Sequence, residues 1–226
     1  MSEQLYKVLD EERRPFHGGS GQWRPAGEWM PPIGDIIPCE RGYHVCNRAQ
    51  LVTWLGPAIW TVETRGEHIE ANDKQVWSGA RLIKRFETWN PRTQRLFACD
   101  CAERVLHLFE HERHGDTRPR RVIEVARLFA EGGATEGELA AARDAAEAAP
   151  WDAAWDAAAR YAAEAAAKAA AKAAAWDAAE AASWAAWAAT RAAAKAAARD
   201  TAAAAWAAEH AWQTERLFWY LEGEGR

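Results

Sequence analysis

The stretch WDAAWDAAARYAAEAAAKAAAKAAAWDAAEAASWAAWAATRAAAKAAARD, residues 151–200, holds 30 alanines in 50 positions, and from Trp151 to Leu221 there is neither Gly nor Pro. Alanine has the highest helix propensity and loses no side-chain entropy on ordering, so this segment reads as helix throughout. A methyl group buries too little apolar area to hold helices together unaided. The anchors are tryptophans: Trp151, Trp155, Trp176, Trp184, Trp187, Trp206, Trp212 and Trp219. On one ideal helix all eight fall within an arc of about 140°, as in a continuous stripe. The charges break that stripe. Asp152, Asp156, Arg160, Glu164, Lys168 and Lys172 lie opposite the first tryptophans, whereas Glu180, Arg191, Lys195, Glu209 and Arg216 share the tryptophan side. The buried face therefore changes near residue 175. Asp177 with Glu180, and then Asp200-Thr201, are restart signals, so the expectation is three packed helices of about 21 to 24 residues with tryptophans as core anchors.

Upstream, Asn90-Pro91 is a helix start, and the helix from Arg92 to about His111 sets Leu96, Phe97, Val105, Leu108 and Phe109 toward a core. Thr117-Arg118-Pro119 opens a second helix that Gly132-Gly133 closes. Thr135 with Glu138 is a capping-box pattern for a third, ended by Pro150. Before Asn90 the composition changes: six of the 14 tryptophans and most of the Pro and Gly lie there, among alternating runs of strand type. Gln4–Leu9 and Ala58–Thr64 read as strands, Lys74–Glu87 as one or two with Ser78-Gly79 as the interruption, and Arg48–Leu55 as a helix stopped by Gly56-Pro57. The expected fold is α+β: a small antiparallel or mixed sheet domain over residues 1–89, then an all-α, alanine- and tryptophan-rich helical bundle over 90–226.

Net charge is −5 over 226 residues, which argues against general nucleic-acid binding; Arg118, Arg120 and Arg121 remain a local basic cluster. No run is apolar enough to span a bilayer and the N-terminus lacks a signal-peptide core, so a cytoplasmic protein without membrane partners is expected. Cys39, Cys46, Cys99 and Cys101 read as thiols. Cys39, His44 and Cys46 offer three ligands where a structural zinc needs four, and Cys99 and Cys101 diverge on a helix by about 200°, so no metal is expected. No Ser-His-Asp, HExxH, P-loop or Rossmann pattern is present, and no cofactor is expected. Carboxylates such as Asp152, Asp156 and Glu164 alternate with cations and describe a salt-bridged face. The one mobile polar-aromatic cluster in the first domain is His17, the Gly18–Gly21 loop, Trp23, Tyr43 and His44. Its three glycines permit backbone conformations that line amides up around a ligand, though the spacing matches no phosphate-binding fingerprint and the alternative is a long hairpin connection.

LYKVLDEERRPFHGGSGQW, CERGYHVCNRAQLVTWLG, IWTVETRG and DKQVWSGARLIKRF together resemble an uncharacterised domain of bacterial and phage proteins that precedes repetitive tails. Its carrying positions are Lys7, Gly18, Gly19, the Cys39–His44 turn, Glu63 and Lys74. With the loop cluster these give the candidate ligand-binding set His17, Gly18, Gly19, Trp23, Tyr43, His44, Glu63 and Lys74. RLFACDCAERVLHLFE, TRPRRVIEVARLFAEG and the alanine-rich helices are similar to bacterial immunity proteins, a family named for genomic association with toxins. That resemblance implies a helical, repeat-like bundle and a binding role in bacterial or phage conflict. The partner would be a protein or a nucleotide-like small molecule, the latter held in a tryptophan-walled groove. The alternatives are an enzyme of nucleotide or ADP-ribose chemistry centred on His17, Tyr43, His44 and Glu63, and a structural spacer.

Overall fold

The computed structural model describes residues 3–112, 114–148, 178–197 and 201–224. It is an α+β chain of four strands followed by five described helices, in two compact units, Met1–Asn90 and Pro91–Arg226.

The first unit is one antiparallel sheet of β1 (Leu5–Leu9), β2 (Tyr43–Val45), β3 (Ala58–Glu70) and β4 (Gln75–Arg85), in the order β1-β3-β4-β2. The sheet curls until its outer strands meet. Tyr6 and Cys46 exchange backbone hydrogen bonds of 2.8 and 3.0 Å, which leaves little open edge. Register shifts at Thr61/Val62 and Arg65/His68 supply the local twist that such curling needs. Inside lie Leu5, Leu9, Val45, Val62, Ala80 and Leu82, capped by Trp23 and Tyr43. The segment 27–33 runs beside β4 through Gly27 N–H to Leu82 O, Met30 N–H to Ala80 O and Ile33 N–H to Ser78 O.

Two local expectations are corrected. Arg48–Leu55 holds only a 3-10 turn, Leu51–Trp54, because Asn47 and Gln50 bond side chain to backbone reciprocally at 3.0 Å and tighten the turn before Gly56-Pro57 stops it. Ser78-Gly79 does not interrupt its strand: β4 is continuous, with Gly79 opposite Arg65.

In the second unit α1 (Pro91–Glu112) is central. Every residue from Thr93 to Ala102 is buried, and it packs against α2 (Arg118–Ala130), α4 (Ala178–Ala196) and α5 (Ala202–Leu221), with α3 (Glu136–Ala148) against α2. Leu106 takes the buried place expected of Leu108, which is half-exposed. Asp116 Oδ1 accepts from Arg118 N–H at the start of α2, where Thr117 makes no side-chain cap bond. The capping box at Thr135 and Glu138 forms: Thr135 N–H donates to Glu138 Oε2 at 2.8 Å, and Glu138 N–H to Thr135 Oγ1 at 3.3 Å.

The tryptophan-core expectation is corrected for the described tail. Ala181, Ala182, Ala185, Ala186, Ala189 and Ala192 are the buried face of α4, while Trp184, Trp187 and Trp206 are 44, 53 and 48% exposed. Alanine faces let helix axes approach closely, so α4 packs methyl against helix and turns its indoles outward. Trp212 and Trp219 are half-buried under the guanidinium groups of Arg104 and Arg216. The expected first tail helix with Trp151, Trp155, Trp176 and its charges, Pro150, Asp177 and Asp200 lie outside the described residues.

Candidate functional site

Strand alternation sets Leu5, Lys7 and Leu9 on one face of β1, so Lys7 enters the sheet's interior side with two leucines. Its ammonium donates to His44 O at 2.9 Å and lies 5.3 Å from the Trp23 ring centre, which meets Tyr43 edge-on at 5.4 Å. Burial pulls the Lys7 pKa down to about 8. His44 Nε2 accepts the Cys39 N–H at 2.9 Å and so braces Cys39 in its left-handed conformation at φ 66°. Burial, and then the charges of Lys7 and Lys74, lower the His44 pKa and keep that nitrogen free to accept. The Tyr43 hydroxyl donates to Pro31 O at 2.6 Å, and burial raises its pKa.

A second group stands round Trp54. His17 Nε2 lies 2.8 and 2.9 Å from the Trp54 and Leu55 carbonyl oxygens, so this nitrogen carries the proton. Lys74 Nζ is 4.9 Å from the Trp54 ring centre and 3.4 Å from Asp73 Oδ2. Of the sequence-derived set, Trp23, Tyr43 and His44 therefore come together with Lys7, and His17 comes together with Lys74 through Trp54. Gly18 and Gly19 have positive φ in an open loop, with Gly19 against Pro15. Glu63 stands elsewhere, chelated by Arg81 from β4.

The cysteines do not converge: Cys39 is exposed, and buried Cys46 donates its thiol to Tyr6 O. Burial pushes the Cys46 and Cys99 thiols up to about 12 and that of Cys101 well above its ordinary value, so all three stay un-ionised. Arg118, Arg120 and Arg121 are ion-paired to Asp116, Glu110 and Glu124.

Sequence reasoning missed two features of the helical unit. Buried Asp100 accepts from Arg127 at 2.7 Å, Arg216 at 2.6 Å and the Tyr220 hydroxyl at 2.7 Å, tying α1 to α2 and α5. Buried Gln213 similarly bonds Ala186 O, Thr190 and Glu209. The only signal was unpatterned: polar residues interrupting otherwise apolar helix faces. The second feature is the outward ridge of α4, where Glu180, Trp184, Trp187, Arg191 and Lys195 recur at three- and four-residue spacing. Trp184 and Trp187 meet edge-on at 5.7 Å, and Arg191 lies 4.6 Å from the Trp187 ring centre. Beyond it, Trp206 stacks on His210 at 5.0 Å. Among the described residues no helix is long and apolar enough to cross a membrane, and no three metal-ligating side chains gather.

No curated protein and no solved structure matches the chain. A family model described as "Imm-5 like putative immunity protein" matches residues 84–218, from the end of β4 through most of α5. The match covers more than half of the chain and contains Asp100 with its partners Arg127 and Arg216 and the tryptophan ridge, so the chain belongs to the Imm-5 like immunity protein family.

Proposed function

We propose that this chain is a non-enzymatic binding protein of bacterial or phage conflict systems, acting in the cytoplasm by docking onto a protein toxin. In this reading residues 90–226 form an alanine- and tryptophan-rich bundle that carries the docking surface. Residues 1–89 are an α+β domain of the bacterial and phage type that they resemble.

The observation that carries the proposal is the Trp184–Trp187–Arg191 ridge. A helix whose buried face is alanine and one threonine and which presents two indoles and a guanidinium to solvent costs solubility and adds little to its own packing. Trp and Arg are the side chains that dominate binding at protein interfaces, since each combines large contact area with polar reach. The enzyme alternative has less support. Glu63 is held by Arg81, His44 by the Cys39 amide, Tyr43 by Pro31 O and His17 by two carbonyls, so the groups that would act are engaged within the fold.

The test is affinity capture from toxin-producing cells with wild type and a Trp184→Ala/Trp187→Ala variant in parallel. The proposal requires a toxin retained by the wild type, a loss of about tenfold or more in the variant, and unchanged melting. Equal retention by both removes the ridge from the interface.

A further inference from the structure

In the first unit two arginines lie against the Trp29 indole and a third bonds the Trp29 backbone carbonyl. The guanidinium carbons of Arg65 and Arg81 lie 3.9 and 4.7 Å from the Trp29 ring centre, and Arg24 Nη1 donates to Trp29 O at 2.9 Å. The sheet register explains the convergence. Glu63 faces Arg81 and Arg65 faces Gly79, so alternate positions of β3 and β4 place all four on one face. A Cβ on Gly79 would stand 3.0 Å from Arg65 Cγ and 3.5 Å from its Nε; the Arg65 side chain lies across space that any other residue would fill. The backbone bonds of segment 27–33 to β4 hold Trp29 above this spot.

The charges here do not balance. Glu63 chelates Arg81, which also donates to Gly27 O. Arg24 gives its hydrogen bond to a carbonyl, and Arg65 has the indole but no carboxylate partner among the described residues. Three guanidinium groups with one bonded carboxylate leave two positive charges. The N–H groups of Arg81 are taken by Glu63 and Gly27 O, whereas Arg65, lying over the indole, keeps its N–H edge free to match two oxygens of an oxyanion.

We propose that Arg65, admitted by Gly79, and Arg24, both held at Trp29 beside the Glu63-paired Arg81, form a binding site for a phosphate dianion, free or carried on a small molecule. The excess of two charges selects phosphate over a monoanionic carboxylate. Fixed stacking of Arg65 lowers the entropy cost of gripping the anion.

Calorimetric titration of the full chain at low salt with inorganic phosphate, and separately with adenosine monophosphate, tests the site. Arg65→Ala should weaken binding about tenfold or more without moving the melting temperature. Arg121→Ala, which removes the same charge from an exposed side chain of α2 already paired with Glu124, should leave binding within about twofold. Gly79→Ala keeps every charge and should also weaken binding by displacing Arg65. Equal affinity for the two probes assigns the bare dianion, whereas tighter nucleotide binding with the same Arg65→Ala loss assigns a phosphoryl group on a larger molecule. Absence of binding by the wild type to about 10 mM, or equal weakening by Arg65→Ala and Arg121→Ala, overturns the proposal.

Discussion

Lys7 and His44 are basic groups whose charged forms burial in the sheet disfavours, and their linkage has the same sign in two different pH windows. Lys7 titrates near 8 in the fold against an ordinary 10.5, so between these values the unfolded chain binds more protons and stability rises with pH. Lys7→Met should be more stable than wild type at neutral pH, and the gap should close as pH rises from 8 to 10.5; chemical denaturation at several pH values measures it. His44 has its pKa below the ordinary 6.5, so its contribution is present above 6.5 and is lost as pH falls through the folded value. Protonation also costs the Cys39 N–H its acceptor. A His44→Asn variant should therefore show a shallower loss of stability below pH 6.5 than wild type, and an equal slope would deny the bond its role. At Asp100, Asp100→Ala leaves Arg127 and Arg216 without their shared carboxylate. It should cost about 3 kcal/mol, near the lower end for breaking a buried pair because both arginines are about one-third exposed.

At the level of elements, α4 shows which sequence signals survive folding and which do not. Glu180, Arg191 and Lys195 share the side of Trp184 and Trp187, a fact visible in the sequence, and charge marks that side as solvent-facing. Tryptophan area argues the reverse, and in the fold charge prevails: the buried face of α4 is alanine with Thr190, and the indoles stay with the charges. Replacing Trp184 or Trp187 by Ala should consequently shift stability by no more than about 0.5 kcal/mol, whereas Ala185→Leu or Ala189→Leu should destabilise by roughly 1 to 3 kcal/mol through overpacking. Thermal melts of the four variants distinguish the faces. Local rules were legible where a bond closes within a few residues, as at Thr135–Glu138 and along β1. They were not legible where the outcome depends on distant partners: Ser78-Gly79 reads as a breaker until Arg65 lies across it, and the Asn47–Gln50 exchange shortens an apparent helix to one turn. The candidate site divides in the same way. The aromatic-histidine cluster could be named from residue type alone, but Trp29, Arg65 and Arg81 are brought together by register and the 27–33 segment, which no single stretch encodes.

For the whole molecule, the change of composition at Asn90 places a boundary, and Trp89 fixes what an autonomous first domain must contain. Trp89 is fully buried, donates from Nε1 to Gly56 O at 2.8 Å and from its backbone N–H to Phe86 O at 3.1 Å, so the chain is fastened to the sheet unit until the residue before Asn90. A fragment of residues 1–90 should accordingly unfold as one cooperative transition, because its sheet, its interior cluster and this bond are all contained in it. A fragment ending at Thr88 loses the indole and its hydrogen bond and should be less stable by about 3 to 5 kcal/mol, the range for removing a fully buried tryptophan. Circular-dichroism melts of the two fragments beside the intact chain provide the comparison. A non-cooperative melt of residues 1–90 would mean that the first unit needs the helical one to fold, and identical melts for both fragments would mean that Trp89 is buried without anchoring anything.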